Sequence, residues 1–172
     1  MGSIMGRVSE DVAPNLSLPD SSTFLLGQLG YLTQGGFTER LAPVGIRPRH
    51  FGMLRLLREN DGQSQQRMAE TLGIHRNVMV GLVDDLEKRG LVERRRHPSD
   101  RRAHAVYLLP AAHAVLARAQ AVMEDFEEDF LTVLDASERA ELRGLLQRVA
   151  FANGLRPGVH PGFASDRLDP SC

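Results

Sequence analysis

The twenty residues from Gly73 to Val92 leave few folds open to this chain. Within them, apolar side chains fall at Val78, Met79, Leu82, Val83 and Leu86. That is the i, i+3, i+4, i+7 spacing of a helix with one buried face. Gly90 follows Lys88 and Arg89, the ending expected of a helix with cations in its last turn and a left-handed cap. Upstream, Gln65 to Leu72 reads as a second, shorter helix with Met68, Ala69 and Leu72 on one face and Ser64 as its N-cap. Gly73 separates the two, so the segment is helix, tight turn, helix. Downstream, residues 91–96 and 105–109 alternate as strands do, around the turn-rich and basic tip His97-Pro98-Ser99-Asp100-Arg101-Arg102. A helix-turn-helix followed at once by a basic hairpin is a winged helix, a shape that can lay one helix in a major groove and its wing in a minor groove.

From Leu72 through LVDDLEKRGLVERRRHPSDRRAHAVYLLP to Pro110, the chain resembles the MarR family of bacterial transcriptional regulators. Asp100-Arg101-Arg102 followed by Val106 and Leu108 carries most of the likeness, which extends over roughly residues 21 to 152. The resemblance implies a homodimer whose first and last helices interlock with those of a second chain. It also implies a wing in which Asp100 holds Arg102, and small aromatic or phenolic effectors bound between the dimer helices and the winged lobe. The chain departs from many members at Val78, Val80 and Gly81, where Thr, Ser or Arg is usual.

The fold class is mainly α with a small β-hairpin wing: a winged helix-turn-helix lobe plus a helical dimerisation region, about six helices in all. Residues 1–19 mix Gly, Pro, Ser and Asn and read as a mobile arm. Residues 20–46 hold a dimerisation helix, Thr23 to Leu41, capped by Asp20, Ser21 or Ser22. Its glycines at 27, 30, 35 and 36 imply very close packing on a neighbour or a bend near 35–36. Residues 47–109 form the DNA-binding lobe, its first helix opened by Pro48. Residues 110–153 hold two more dimerisation helices, from Ala111 to about Val133 and, after the capping box Asp135-Ala136-Ser137-Glu138, through Phe151. Residues 154–172, with Pro157, Pro161 and Pro170, read as a disordered tail.

The net charge of −1 conceals an uneven distribution. Residues 47–109 carry 13 basic against 8 acidic side chains, while residues 110–152 carry 4 against 8. A basic lobe on an acidic body suits phosphate binding. There is no apolar run long enough to span a membrane and no signal-peptide core at Met1–Arg7, so a cytoplasmic location is expected. The lone Cys172 excludes an internal disulfide and lies where nothing lowers its pKa, which argues against thiol sensing. His75, His97, His104, His113 and His160 do not repeat at ligand spacing, so no metal or other cofactor is expected. No nucleophile elbow, phosphate loop or HExxH appears, so no enzyme is expected.

The candidate DNA-binding residues follow from position. His75, Arg76 and Asn77 begin the recognition helix off its apolar stripe. Arg76 matches the guanine edge and Asn77 the adenine edge, unless His75 or Asn77 serves only as a cap. Val80 either meets a thymine methyl or fills core. Ser64, Gln65 and Gln66 are candidate phosphate contacts at a helix N-terminus. Arg94, Arg96, Asp100, Arg101 and Arg102 belong to the wing, with Arg102 suited to a narrow minor groove. Arg94 to Arg96 could instead be a solvated strand edge. The candidate effector pocket is Tyr31, Arg47, Arg49, His50, Phe51 and Met53, which mixes aromatic faces with cations. The plainer reading puts Phe51 in the core and Arg47 and Arg49 on phosphate. The function expected is that of a homodimeric, ligand-responsive repressor reading a pseudo-palindrome in double-stranded DNA. A winged-helix protein-interaction module that never reads DNA is the alternative.

Overall fold

The computed structural model describes residues 17–96 and 104–163. Among them are six α-helices and three strands. The helices are α1 (Ser22–Leu41), α2 (Pro48–Glu59), α3 (Gln65–Leu72), α4 (Arg76–Lys88), α5 (Pro110–Phe130) and α6 (Ala136–Ala152). The strands are β1 (Gln63–Ser64), β2 (Val92–Arg96) and β3 (His104–Leu108). The chain divides into two compact units, residues 1–35 and 36–172, and α1 runs through the division.

In the first unit, a 3-10 turn at Leu18–Asp20 leads into α1. Ser21 caps that helix: its Oγ accepts from the Phe24 amide at 3.3 Å and its carbonyl from Leu25 at 3.0 Å. Of the three capping candidates, the middle one is used. Phe24, Leu25, Leu26, Leu29 and Leu32 stay exposed along the helix. A β-carbon on Gly27, Gly30 or Gly35 would meet nothing within 4 Å. α1 is one continuous helical run, Ser22–Leu41.

The second unit is built on one apolar core. The inner stripe of α4 (Met79, Val83, Leu86) meets Met53, Leu54 and Leu57 of α2, Met68, Ala69 and Leu72 of α3, and Ala112, Leu116 and Ala119 of α5. Gly73 (φ 66°) makes the turn between α3 and α4, and Gly90 (φ 68°) the turn into β2, both in the left-handed region where a side chain is strained. The sheet is antiparallel in the order β1-β3-β2, with Val92 opposite Leu108, Arg96 opposite His104, and Gln63 opposite Val106. The hairpin expected from sequence is therefore a three-stranded sheet. Two residues before α3 form its edge, a run too short to carry an alternation signal. β2 starts one residue later than the expected 91–96, and β3 both starts and ends one residue earlier than the expected 105–109.

Polar side chains fasten the loops. Arg89 Nη1 donates to the Gly45 carbonyl at 2.6 Å and Arg118 Nη2 to the Val44 carbonyl at 2.9 Å, which pins the turn after α1. Gly36 lies against the Phe126 ring, where a β-carbon would come within 2.9 Å. The close packing expected of the glycine-rich helix occurs at this position. The capping box of α6 forms as expected: Asp135 Oδ1 accepts from the Ser137 and Glu138 amides, and Glu138 Oε2 from the Asp135 amide. Arg139 closes the end of α5 through the Leu131 and Leu134 carbonyls and Glu128. Yet no α6 side chain is buried against the described residues; Leu145, Leu146, Val149 and Phe151 all face outward.

The tail corrects the sequence reading. Residues 154–163, expected to be disordered, lie on the winged lobe. Arg156 Nη1 donates to the Glu70 and Thr71 carbonyls, Val159 packs on the core, and Arg49 Nη2 donates to the Gly162 carbonyl. Single contacts spaced three residues apart have no periodic signature. Residues 1–16, most of the expected arm, and 164–172 lie outside the described residues. No described helix is long and apolar enough to cross a membrane.

His50 ties α2 to α4. Its ring is buried, with Nδ1 accepting from the Arg47 amide at 3.2 Å and Nε2 lying 2.9 Å from Asp85 Oδ2. Nδ1 as acceptor and an N–H on Nε2 satisfy both contacts. Partial burial pushes the Asp85 carboxyl up. The Arg89 hydrogen bond, His50 and the charges of Arg89 and Arg47 together outweigh it and hold the group below its ordinary value of 3.8. A depressed carboxylate pKa contributes stability that is fully present above the unfolded value and is lost as pH falls through the folded one. Asp85→Asn keeps an acceptor for His50 and removes the charge. Denaturant melts taken from about pH 6 downward should therefore show a shallower acid loss of stability in the variant than in the wild type. Parallel acid limbs would remove Asp85 from the account.

Candidate nucleic-acid interface

The rotation of α4 is fixed by its buried stripe, and this decides what it shows to solvent. With Met79, Val83 and Leu86 inside, Arg76, Asn77, Val80 and Gly81 lie outside at i, i+4 spacing. Val80 is 38% exposed and so does not fill core. His75 is the N-cap: its Nδ1 accepts from the Asn77 amide at 3.3 Å. The capping alternative thus holds for His75, whose ring remains exposed at the helix tip. Beside it, Ser64 caps α3 by accepting from the Arg67 amide at 3.3 Å. Gln65 is half-buried, and Gln66 is exposed with its amide 3.1 Å from Glu70 Oε1. Gln66, Ala69, Glu70, Gly73, Ile74 and Arg76 line a shallow depression between the two helices.

The arginines of β2 separate into three roles. Arg94 is turned toward α4, where its guanidinium bridges Asp84 and Glu87 and lies 3.5 Å from the Val80 carbonyl. Its own amide donates to Glu87 Oε1 at 3.0 Å. The side chain is 20% exposed. Arg94, a candidate DNA contact, is thus held by two carboxylates of α4 and braces the wing against that helix. Arg95, on the opposite face of the sheet, pairs with Glu93 and stacks over Tyr107 at 4.6 Å. Arg96 is exposed at the last described position before the tip. Asp100, Arg101 and Arg102 lie outside the described residues. The brace was missed in the sequence because its partners are 7 and 10 residues away on another element. Asp84 and Glu87 at i, i+3 on α4 are the only local hint of a waiting cation.

Phe51 and Met53 are core, with Phe51 edge-on to Phe37 at 5.9 Å, and His50 is the buried link to Asp85. They form the inner face of an amphipathic helix, and burial claims them. Arg49 holds Gly162, Arg47 is exposed at the start of α2, and Tyr31, in the first unit, is 80% exposed. Among the described residues, no cluster of His, Cys, Asp and Glu could hold a metal ion.

Comparison with known proteins bears on this geometry. The MarR family pattern matches residues 46–104, the winged lobe. A protein of Thauera aromatica named for transcriptional regulation of the hcr operon is 34% identical over 105 residues. That match covers 61% of this chain and spans 63% of the relative's length. The structure of the transcriptional repressor CouR bound to a 23-mer DNA duplex is 37% identical with a TM-score of 0.68, covering 77% of this chain and 94% of that one. CouR from Rhodococcus jostii RHA1 bound to p-coumaroyl-CoA is 31% identical with a TM-score of 0.65, covering 81% and 99%. With a family pattern over the winged lobe, the order of its described helices and solved structures 31–37% identical matched over 94–99% of their length, the chain belongs to the MarR family.

Proposed function

We propose that this protein is a homodimeric, sequence-specific transcriptional regulator that represses by binding a pseudo-palindromic operator and releases it in response to a small aromatic effector. The observation that carries the reading is the exposed first turn of α4, with Arg76, Asn77 and Val80 directed outward from a helix that the core and Arg94 hold fixed. Arg76 fits a guanine edge, Asn77 an adenine edge and Val80 a thymine methyl. Backbone amides and side chains at the α3 N-terminus (Ser64, Gln65, Gln66) would set the register on phosphates, with Arg96 and the tip residues Asp100, Arg101 and Arg102 at the minor groove.

Pairing is supported by apolar surface left exposed among the described residues. Phe24, Leu25, Leu29 and Leu32 of α1 and Leu145, Leu146, Val149 and Phe151 of α6 are 39–77% exposed. A second copy covering these faces would place two recognition helices about one helical turn of DNA apart. The effector class rests on the p-coumaroyl-CoA-bound relative and on family membership. His50, Phe51 and Met53 are packed, so they are not its contacts in this conformation.

Selection of bound duplexes from a random pool should return an inverted repeat, and a pool with no enriched sequence would favour a protein-interaction module instead. Arg76→Ala should lose roughly 1–3 kcal/mol of discrimination at one base pair per half-site, read by competition between operator variants. An equal loss on every variant would make Arg76 a phosphate contact. Arg102→Ala should lower affinity and reduce the slope of log K against log salt by about one contact per protomer. An unchanged slope would take the wing tip out of the interface. Leu146→Glu with Val149→Glu should convert the dimer to monomer in sedimentation, with the far-ultraviolet spectrum retained; a dimer that persists would place the pairing surface elsewhere.

A further inference from the structure

The α5–α6 hairpin is fastened to the winged lobe at both of its ends. At one end Ala112, Leu116 and Ala119 of α5 are part of the core. At the other, the ten residues after Asn153 cross the lobe and attach at three points. Arg156 Nη1 donates to the Glu70 carbonyl at 3.1 Å and the Thr71 carbonyl at 3.4 Å. Carbonyls of a helix's last turn lack partners within the helix and carry the negative end of its dipole, so a cation suits them. Val159 is half-buried against the core, and the Gly162 carbonyl accepts from Arg49 Nη2 at 3.3 Å near the start of α2.

What lies on either side of this segment gives it a direction. Immediately before it are the outward-facing Val149 and Phe151 of α6. At its first attachment, Thr71 is followed by Leu72, the Gly73 turn, and then the His75 cap and Arg76. We propose that residues 154–163 are a strap through which the position of α6 sets the position of the α3–α4 turn, so that pairing of α6 with a second copy limits where the Arg76 end of the recognition helix can lie. The proposal rests on the regulator reading given above. Without the strap the lobe is held to the hairpin at its α5 end alone and can swing about it. A duplex with two half-sites demands one separation of the two recognition helices, and a protein already held near that separation binds with less ordering cost.

The test uses the full chain with Arg156→Gln, Val159→Gln and the conservative Arg156→Lys. Hydrogen exchange is followed in the DNA-free dimer, and affinity is measured on duplexes with half-sites at the selected spacing and one base pair longer or shorter. Amides of residues 70–76 should exchange faster in both Gln variants. Affinity at the selected spacing should fall roughly fivefold or more, the preference for that spacing over the longer and shorter ones should weaken, and Arg156→Lys should keep most of both. Unchanged exchange overturns the strap, as does faster exchange with wild-type affinity and spacing preference, or tighter binding. Failure of the wild-type protein to bind any duplex would instead overturn the regulator reading, while the exchange comparison would still decide whether the segment restrains the α3–α4 turn.

Discussion

Burial of Met79, Val83 and Leu86 beneath α4 is the constraint from which the rest of the interface follows. Each is fully buried, and withdrawing one such side chain from water is worth roughly 1.5–3 kcal/mol. Turning the helix by one residue position would expose all three at once. The rotation of the helix is therefore set from inside, and the directions of Arg76, Asn77 and Val80 are consequences of it. Two polar ties act on the same helix from its flanks. Arg94 holds Asp84 and Glu87 from the wing, and His50 meets Asp85 from α2. Asp84 and Glu87 continue the Arg76–Val80 face toward the C-terminal half of α4, so Arg94 covers the far end of that face and leaves its first turn exposed.

Outside the winged lobe, apolar surface is left uncovered. The α6 helix has a well-made start, with its capping box and with Arg139 across the end of α5, but no buried side chain. A helix that short draws most of its stability from packing one face. The exposed leucines and Phe151 are that face, and in the proposed dimer a second copy would cover them. The charge distribution agrees, since the basic residues concentrate in 47–109 and the acidic ones along α5 and α6.

Arginine serves several ends here. Arg89, Arg118, Arg139 and Arg156 donate to backbone carbonyls at helix or turn ends, Arg94 binds carboxylates, and Arg95 stacks on Tyr107. Arg76 and Arg96 are exposed and open to the phosphate or base roles that composition suggested for the whole basic segment. A planar fork with five donors is equally suited to a carboxylate, a carbonyl pair or a guanine. The choice among them depends on what stands opposite.

The residues alone determined the helices and their rotation. Period 3.6 in 78–86, the glycines at 73 and 90, Ser64 as a cap and the Asp135–Glu138 box are local signals, and local geometry obeys them. Tertiary structure decided the rest. It sent Arg94 inward, placed Phe51, Met53 and His50 in the core, added β1 to the sheet, and seated residues 154–163 on the lobe. Each of these depends on a partner far away in the chain. Periodicity records only which side of an element is apolar, and a contact between distant residues leaves no period to read.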